Sequence, residues 1–291
     1  MKTIRIATRE SRLALVQTEW VKAEILKKIP ELDVQILPLT TKGDQILDQS
    51  LDKIGGKGLF IKELEQALLD GRADLAVHSL KDMPAVLPSG LKIAVYAKRE
   101  DARDGLVGKK IDQLPMGAVV GTSSLRRAVQ LEAFRPDIKI KLLRGNVLTR
   151  LQKLDDGQYD AIVLAMAGLN RLGLGDRVSE ILTVAQMVPS VGQGILAIET
   201  RADADISQYI SHIADNKAQS CALAERSFMA TLNGNCSTPI AAHAIIDGES
   251  MTVYGMLAHE DKSHMVRHVV HGKVQEAVQL GVLLAKEIGE M

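Results

Sequence analysis

The feature that most narrows the fold of this chain is a repeated switch between two hydrophobic periods. Short apolar runs of strand type alternate with stretches in which apolar residues recur at helical spacing. Ile4–Thr8 reads as a strand, and Ser11–Lys28 as a helix carrying Leu13, Val16 and Trp20 at that spacing. Val34–Leu39 is the next strand. Gly58–Leu69 follows as a helix with Gly71 as its stop. Ala73–Val77 is then a strand ending abruptly at His78-Ser-Leu-Lys-Asp-Met-Pro84. Strand, helix, strand in this rhythm predicts βαβ units and a mainly parallel sheet.

A second unit of the same kind begins near residue 98, after Ile93–Ala97. It holds a strand at Ala118–Gly121, a helix from about Ser124 to Phe134 and a strand at Ile138–Leu143. A helix from Val147 and the strand Tyr159–Ala165 complete it. Val188–Gly194 reads as a segment returning the chain to the first unit. From about Asn216 the pattern changes to a helix (Ala218–Leu232), the loop Asn233-Gly-Asn-Cys236 and three extended runs. Those runs are Ile240–Ile246, Met251–Ala258 and Met265–Val270, and a last helix starts at Val274. That predicts an α+β unit on a three-stranded antiparallel sheet. With 291 residues and 46% hydrophobic content there is material for several cores.

Charge is distributed unevenly over this framework. Lysines and arginines number 36 against 36 acidic residues, yet positions 121–150 hold seven basic residues and two acidic ones. Several of these arginines directly follow apolar strand-like runs, and ligands of open α/β sheets bind at strand ends. Arginine suits carboxylates and phosphates because its planar fork donates in pairs. A pocket for a small polyanion is the first inference. Gly121-Thr-Ser-Ser-Leu-Arg126-Arg127 places hydroxyls where a helix begins, which describes either an ordinary N-cap or an anion site. Arg126 and Arg127 point about 100° apart on a helix, so one exposed face cannot carry both. Arg144 and Arg150 add to the same neighbourhood. Thr8-Arg9-Glu10-Ser11 repeats the arrangement at the first strand-to-helix turn.

Other motifs are less specific. Gly55-Gly-Lys57-Gly58-Leu-Phe60 lacks the phosphate-loop spacing and reads as a loop carrying Lys53 and Lys57 over a ligand. Asp82 beside Lys81 is either a turn residue ahead of Pro84 or, facing a cleft, a candidate for proton transfer or for holding a developing cation. Cys236 lies in a Gly/Asn-rich loop of the kind that exposes a thiol. Cys221, among alanines and a leucine, reads as a small core residue. No His/Cys spacing suggests a metal. Zero net charge and 3% aromatics argue against a nucleic-acid surface. No window approaches the roughly 18 apolar residues of a membrane span. No apolar leader stretch stands near the N-terminus and two cysteines suit a reducing compartment, so a cytoplasmic chain is expected.

Seven motifs in order are more specific than any one. They are Thr8-Arg-Glu-Ser-Arg-Leu-Ala, Gly55-Gly-Lys-Gly-Leu-Phe-Ile-Lys-Glu-Leu-Glu, Ala76-Val-His-Ser-Leu-Lys-Asp-Met-Pro, Gly121-Thr-Ser-Ser-Leu-Arg-Arg, Leu143-Arg-Gly-Asn-Val, Ala167-Gly-Leu-Asn-Arg-Leu-Gly and Val191-Gly-Gln-Gly. Together, over essentially the whole chain, they resemble the porphobilinogen deaminase (hydroxymethylbilane synthase) family. The resemblance implies an enzyme that joins four porphobilinogen molecules head to tail with release of ammonia, then frees hydroxymethylbilane with water. It implies one dipyrromethane cofactor per chain, bound by a thioether to Cys236, and Asp82 as the catalytic carboxylate. By the same resemblance Lys81, Ser123, Ser124, Arg126, Arg127 and Arg144 bind the cofactor. Arg9, Ser11, Thr122, Arg150 and Arg171 bind substrate, and Lys53, Lys57 and Phe60 lie on a loop at the cleft mouth.

The implied fold is α/β, with two periplasmic-binding-protein-like α/β domains (residues 1–97 plus 194–213, and 98–193) and a smaller α+β domain (214–291). The family commonly has two glycines before the cysteine, whereas here Asn235 precedes Cys236. Asparagine tolerates left-handed backbone, so the loop is expected to be preserved. A monomer without nucleic-acid or membrane partners is expected. The competing reading is a non-catalytic anion-binding protein of the same architecture, which needs no loop cysteine.

Overall fold

The computed structural model describes residues 3–45, 61–234, 238–259 and 264–291 of the chain. In chain order the first elements are β1 (Thr3–Arg9), α1 (Arg12–Lys28), β2 (Asp33–Leu39), α2 (Lys42–Gln45), α3 (Lys62–Leu69), β3 (Leu75–Ser79) and β4 (Leu91–Tyr96). The chain then crosses to β5 (Asp104–Gly108), β6 (Val119–Gly121), α4 (Leu125–Phe134), β7 (Lys139–Lys141), α5 (Val147–Asp155), β8 (Ala161–Ala165), α6 (Met166–Arg171) and β9 (Val178–Ile181). It returns through β10 (Leu196–Arg201) and α7 (Ser207–Ile210). It finishes with α8 (Asn216–Thr231), β11 (Ile240–Asp247), β12 (Ser250–Ala258), β13 (Met265–Lys273) and α9 (Ala277–Gly289).

Three sheets result, in the orders β2-β1-β3-β10-β4, β7-β6-β8-β5-β9 and β11-β12-β13. The architecture is α/β, with two five-stranded sheets and a separate antiparallel three-stranded sheet. One expectation needs correcting, because each large sheet is mixed and not mainly parallel. The helix-connected strands do pair in parallel: β1 with β2 and β3, and β6 with β7 and β8. β10 enters the first sheet antiparallel between β3 and β4, and β5 enters the second antiparallel between β8 and β9. These two strands adjoin the crossings between the sheets, which reverse the chain where the βαβ rhythm would have continued it. The strand expected over Ile138–Leu143 shortens to β7, an edge strand paired over three residues.

The crossings lie side by side. Ala97 N–H donates to the Leu196 carbonyl at 2.9 Å and Glu100 N–H to Gly194 at 3.1 Å. Cores sit on each sheet: Ile4, Ile6, Val21, Leu75 and Ile198 in the first, Leu106, Val120, Leu131 and Val163 in the second. In the third unit α8 and α9 cover one sheet face around Phe228, Val253 and Leu284. The opposite face packs Ala241, Met256 and Ala258 against Val129 and Val188 of the second unit. Gly281 lets α9 meet the backbone of α8 at Ala224, where any Cβ would collide. The helix α8 closes at Asn233, whose φ of 52° lies in the left-handed region.

Candidate active site

The turn leaving β3 is held from beneath by apolar packing. Leu80 and Met83 are buried in one cluster with Ile195, Ala197, Ala218 and Ala222. Leu80 N–H donates to the Ile195 carbonyl at 3.0 Å. A single 3-10 turn over Leu80–Asp82 follows, with Lys81 and Asp82 left partly accessible. Arg226 of α8 grips the far side, donating through Nη2 to the carbonyls of Pro84 (2.8 Å) and Ala85 (2.9 Å). The parallel register places Ala7 opposite Ala76, so Arg9, two residues on, stands level with His78 at the same sheet end. Ser11 caps α1, its Oγ accepting from Ala14 N–H at 3.4 Å.

Across from this turn, the segment after β6 is built as a helix start. Ser124 Oγ accepts from Arg127 N–H at 3.4 Å, and Thr122 Oγ1 from Ser124 N–H at 3.1 Å. Thr122 is buried, and Ser123 and Ser124 are partly exposed. The N-cap reading is therefore correct for Ser11 and Ser124, whatever else their hydroxyls do. Arg126 and Arg127 are both buried and converge on a single carboxylate, Asp104 at the start of β5. Arg126 Nη2 lies 2.8 Å from Oδ2, and Arg127 Nη2 lies 2.7 Å from Oδ1. Each also donates through Nη1 to a backbone carbonyl, Arg126 to Val188 (2.7 Å) and Arg127 to Val163 (3.0 Å). Burial alone would raise the Asp104 pKa. The two guanidiniums outweigh it and hold the carboxyl well below the usual range.

The two sides share one electrostatic field. Burial lowers the Lys81 pKa to about 8, with Arg127 and Arg126 reinforcing the drop and Asp82 and Asp104 opposing it. Arg150 donates through Nε to the Gly145 carbonyl at 2.7 Å. Burial, Arg127 and Arg144 lower its pKa to about 10, and Asp82 opposes them. Arg144 is buried nearby. Lys81, Arg126, Arg127, Arg144 and Arg150 thus face Asp82 and Asp104, five cations against two carboxylates. Arg171 sits at the crossing instead, donating from Nη2 to the Gly194 carbonyl at 2.7 Å, with Glu100 opposing the burial that lowers its pKa to about 10. Cys236, Lys53, Lys57 and Phe60 lie outside the described residues.

Sequence reasoning overlooked several groups. Asp104 was hidden as one acidic residue opening an apolar strand. Gln193 stands inside the Val191-Gly-Gln-Gly motif, where a lone amide between glycines gives no chemical signal of its own. Glu225 and Arg226 interrupt a run of small residues on α8, a signal that could have marked them. Glu225 is fully buried and takes Arg99 as a two-pronged partner at 2.6 and 3.2 Å. It also accepts from the N–H groups of Gly192 (2.7 Å) and Ala244 (2.8 Å). Burial would raise its pKa, but Arg99 and His243 bring it to about 2. Cys221 is buried as its neighbours predicted, and burial together with Glu225 pushes its thiol up to about 11. Among the described residues no His/Cys/Asp/Glu group could hold a metal ion, and no helix is long and apolar enough to cross a membrane.

Comparison with known proteins settles the lineage. Residues 4–208 match the family model described as porphobilinogen deaminase, dipyrromethane cofactor binding domain, and residues 219–290 match its C-terminal domain. A porphobilinogen deaminase from Chromobacterium violaceum is 50% identical over 292 residues, covering 99% of this chain and 94% of that protein. The chain belongs to the porphobilinogen deaminase family. Its cofactor-binding part spans both five-stranded sheets, and its C-terminal part spans the three-stranded sheet with α9 and most of α8. Among solved structures, the methionine-binding protein MetQ is 16% identical with a TM-score of 0.44, covering 79% of this chain and 94% of its own. A TRAP periplasmic solute-binding protein from Desulfovibrio salexigens is 15% identical with a TM-score of 0.44, covering 75% and 73%.

Proposed function

We propose that the cationic cluster between the two large sheets is the site where this porphobilinogen deaminase joins four porphobilinogen molecules head to tail, releasing ammonia each time and finally hydroxymethylbilane. The observation that carries the reading is the surplus of fixed positive charge. Five cations face two carboxylates at one place in a chain of zero net charge. Burial disfavours the charged forms of Lys81 and Arg150, so an anion placed among them relieves a strain already present. That donor set fits dipyrromethane, whose pyrroles carry carboxylates. When bound, the cofactor supplies the pyrrole end from which the product chain is extended.

The roles divide by position. Lys81, Ser123, Ser124, Arg126, Arg127 and Arg144 hold the cofactor, and Arg9, Ser11, Thr122, Arg150 and Arg171 take substrate carboxylates. Breaking the substrate C–N bond sends the electron pair out with ammonia and leaves a cationic methylene carbon conjugated with the pyrrole nitrogen. Asp82, partly accessible beside Lys81 and Arg150, counters that charge and takes the pyrrole N–H proton as a hydrogen bond. The cofactor is anchored by a thioether to Cys236. Cys221 is unsuited, because a buried thiol at about 11 supplies almost no thiolate at neutral pH. The units act as domains of residues 1–97 plus 194–213, 98–193 and 214–291, in a cytoplasmic monomer.

Intact-mass measurement tests the reading. The purified chain should exceed its sequence mass by two linked pyrrole units, and Cys236→Ser should abolish the excess. An unmodified mass for active protein would remove the covalent cofactor. Anion binding without turnover would favour a simple binding protein.

A further inference from the structure

The side chain of Gln193 lies between the two halves of the site and belongs to neither. It is fully buried. Its Nε2 donates to the Ala102 carbonyl at 2.6 Å and to Asp104 Oδ1 at 2.9 Å, beside the contacts of Arg126 and Arg127. On its other side Oε1 lies 3.5 Å from Lys81 Nζ, long for a hydrogen bond but close for an ammonium facing a carbonyl dipole. The partners fix which way the amide points. A flipped amide would set oxygen against a carbonyl and a carboxylate, and N–H against an ammonium.

The backbone holds the residue as firmly. Gly192 (φ +71°) and Gly194 (φ +91°) flank it in left-handed conformations, and a Cβ on Gly192 would lie 2.6 Å from Leu80 Cγ, inside the catalytic turn. Gln193 N–H donates to Ser190 at 2.9 Å, and its carbonyl accepts from Arg99 Nε at 2.9 Å. Arg99 is in turn fastened to Glu225.

We propose that Gln193 is a positioning residue of the condensation reaction, its oriented amide fixing Lys81 of the first sheet against the arginine pair that Asp104 holds in the second. The inference rests on the cationic cluster being the reaction site. Loss of the amide would free Lys81 and Asp82 to drift relative to Arg126 and Arg127. Misplacement by about 1 Å can cost on the order of a hundredfold in rate. The amide oxygen also supports the charged form of Lys81, alongside Asp82 on the same turn and Asp104 on β5, and against Arg126 and Arg127 on α4.

Gln193→Met keeps the volume and removes both polar faces. In the cofactor-loaded protein its kcat should fall roughly tenfold or more with KM changed by less than about threefold. The alkaline limb of its kcat/KM profile should move down by about half a pH unit or more, because the ammonium of Lys81 has lost an acceptor. A kcat within about twofold of wild type, or a rate loss that tracks melting temperature with the alkaline limb unmoved, overturns the proposal. Should Gln193→Met fail to fold, Gln193→Glu decides. It keeps an oxygen towards Lys81 but turns oxygen on Asp104 and Ala102, so kcat should fall and the limb should move upward. An unmoved limb overturns the proposal there too. Wild-type protein lacking the two-pyrrole mass would defeat the site reading itself, separately from these outcomes.

Discussion

Replacing Asp104 by asparagine tests whether the arginine cluster depends on one buried counter-ion. The carboxylate has no exposed surface and accepts four hydrogen bonds: one from Arg126 (2.8 Å), two from Arg127 (2.7 and 3.2 Å) and one from Gln193 (2.9 Å). Removing its charge leaves two buried guanidiniums uncompensated, a change that costs about 3–5 kcal/mol. Set against a total stability of about 5–15 kcal/mol, the variant folds but loses a large share of its margin. In a chain of this size each kcal/mol is worth roughly 2–4 °C, so melting should drop by about 6–20 °C at neutral pH. The pH dependence sharpens the test. A carboxyl whose folded pKa is depressed contributes stability above its unfolded value near 4 and loses it as pH falls through the folded value. The gap between wild type and Asp104→Asn, followed by calorimetry or denaturant titration, should therefore be constant from about pH 5 to 8 and narrow below about pH 4. A neutral-pH loss under about 1 kcal/mol, or a gap unchanged in acid, would refute the assignment.

Asp82→Asn should retain the cofactor mass and bind substrate, yet turn over very slowly in single-turnover and steady-state assays; near-normal kcat would take Asp82 out of the mechanism. Lys81, whose pKa burial lowers to about 8, is protonated below that pH and neutral above it, so its hold on the cofactor carboxylates, and with it the placement of the pyrrole end that meets substrate, should weaken as pH rises through about 8. That loss should show in kcat/KM, which reports the free enzyme, and Lys81→Arg should remove the transition. A kcat/KM flat from pH 7 to 9 in the wild type would exclude Lys81 from holding the cofactor.

The parts of the fold legible in the sequence are those specified locally. β1 follows from its apolar run, and α1 and α4 from their Ser11 and Ser124 caps, although the face α1 buries is Gln17, Thr18, Val21 and Ile25, with Trp20 of the expected apolar stripe exposed. Strand direction is not local. Asp104–Gly108 and Leu196–Arg201 are short segments whose few apolar residues suit any strand, and nothing within them records that each pairs antiparallel with both neighbours. The site shows the same division. Arginines concentrate in sequence and so drew notice, but the counter-ion of Arg126 and Arg127 stands on β5, before the cluster begins, and meets them only because of that insertion. Gln193 was harder still, since its meaning comes from three separate elements converging on one amide.

The side-by-side crossings have a mechanical consequence. Two crossing segments tied by backbone hydrogen bonds can bend together about an axis across them but resist one sliding along the other. The backbone bonds of Ala97 to Leu196 and of Glu100 to Gly194 oppose such shear. Any tilt of the two large sheets about these crossings would therefore leave their heights relative to one another unchanged. A product that lengthens by repeated equal units needs that behaviour: more room at the mouth, with the registration of the charged faces at its base unchanged.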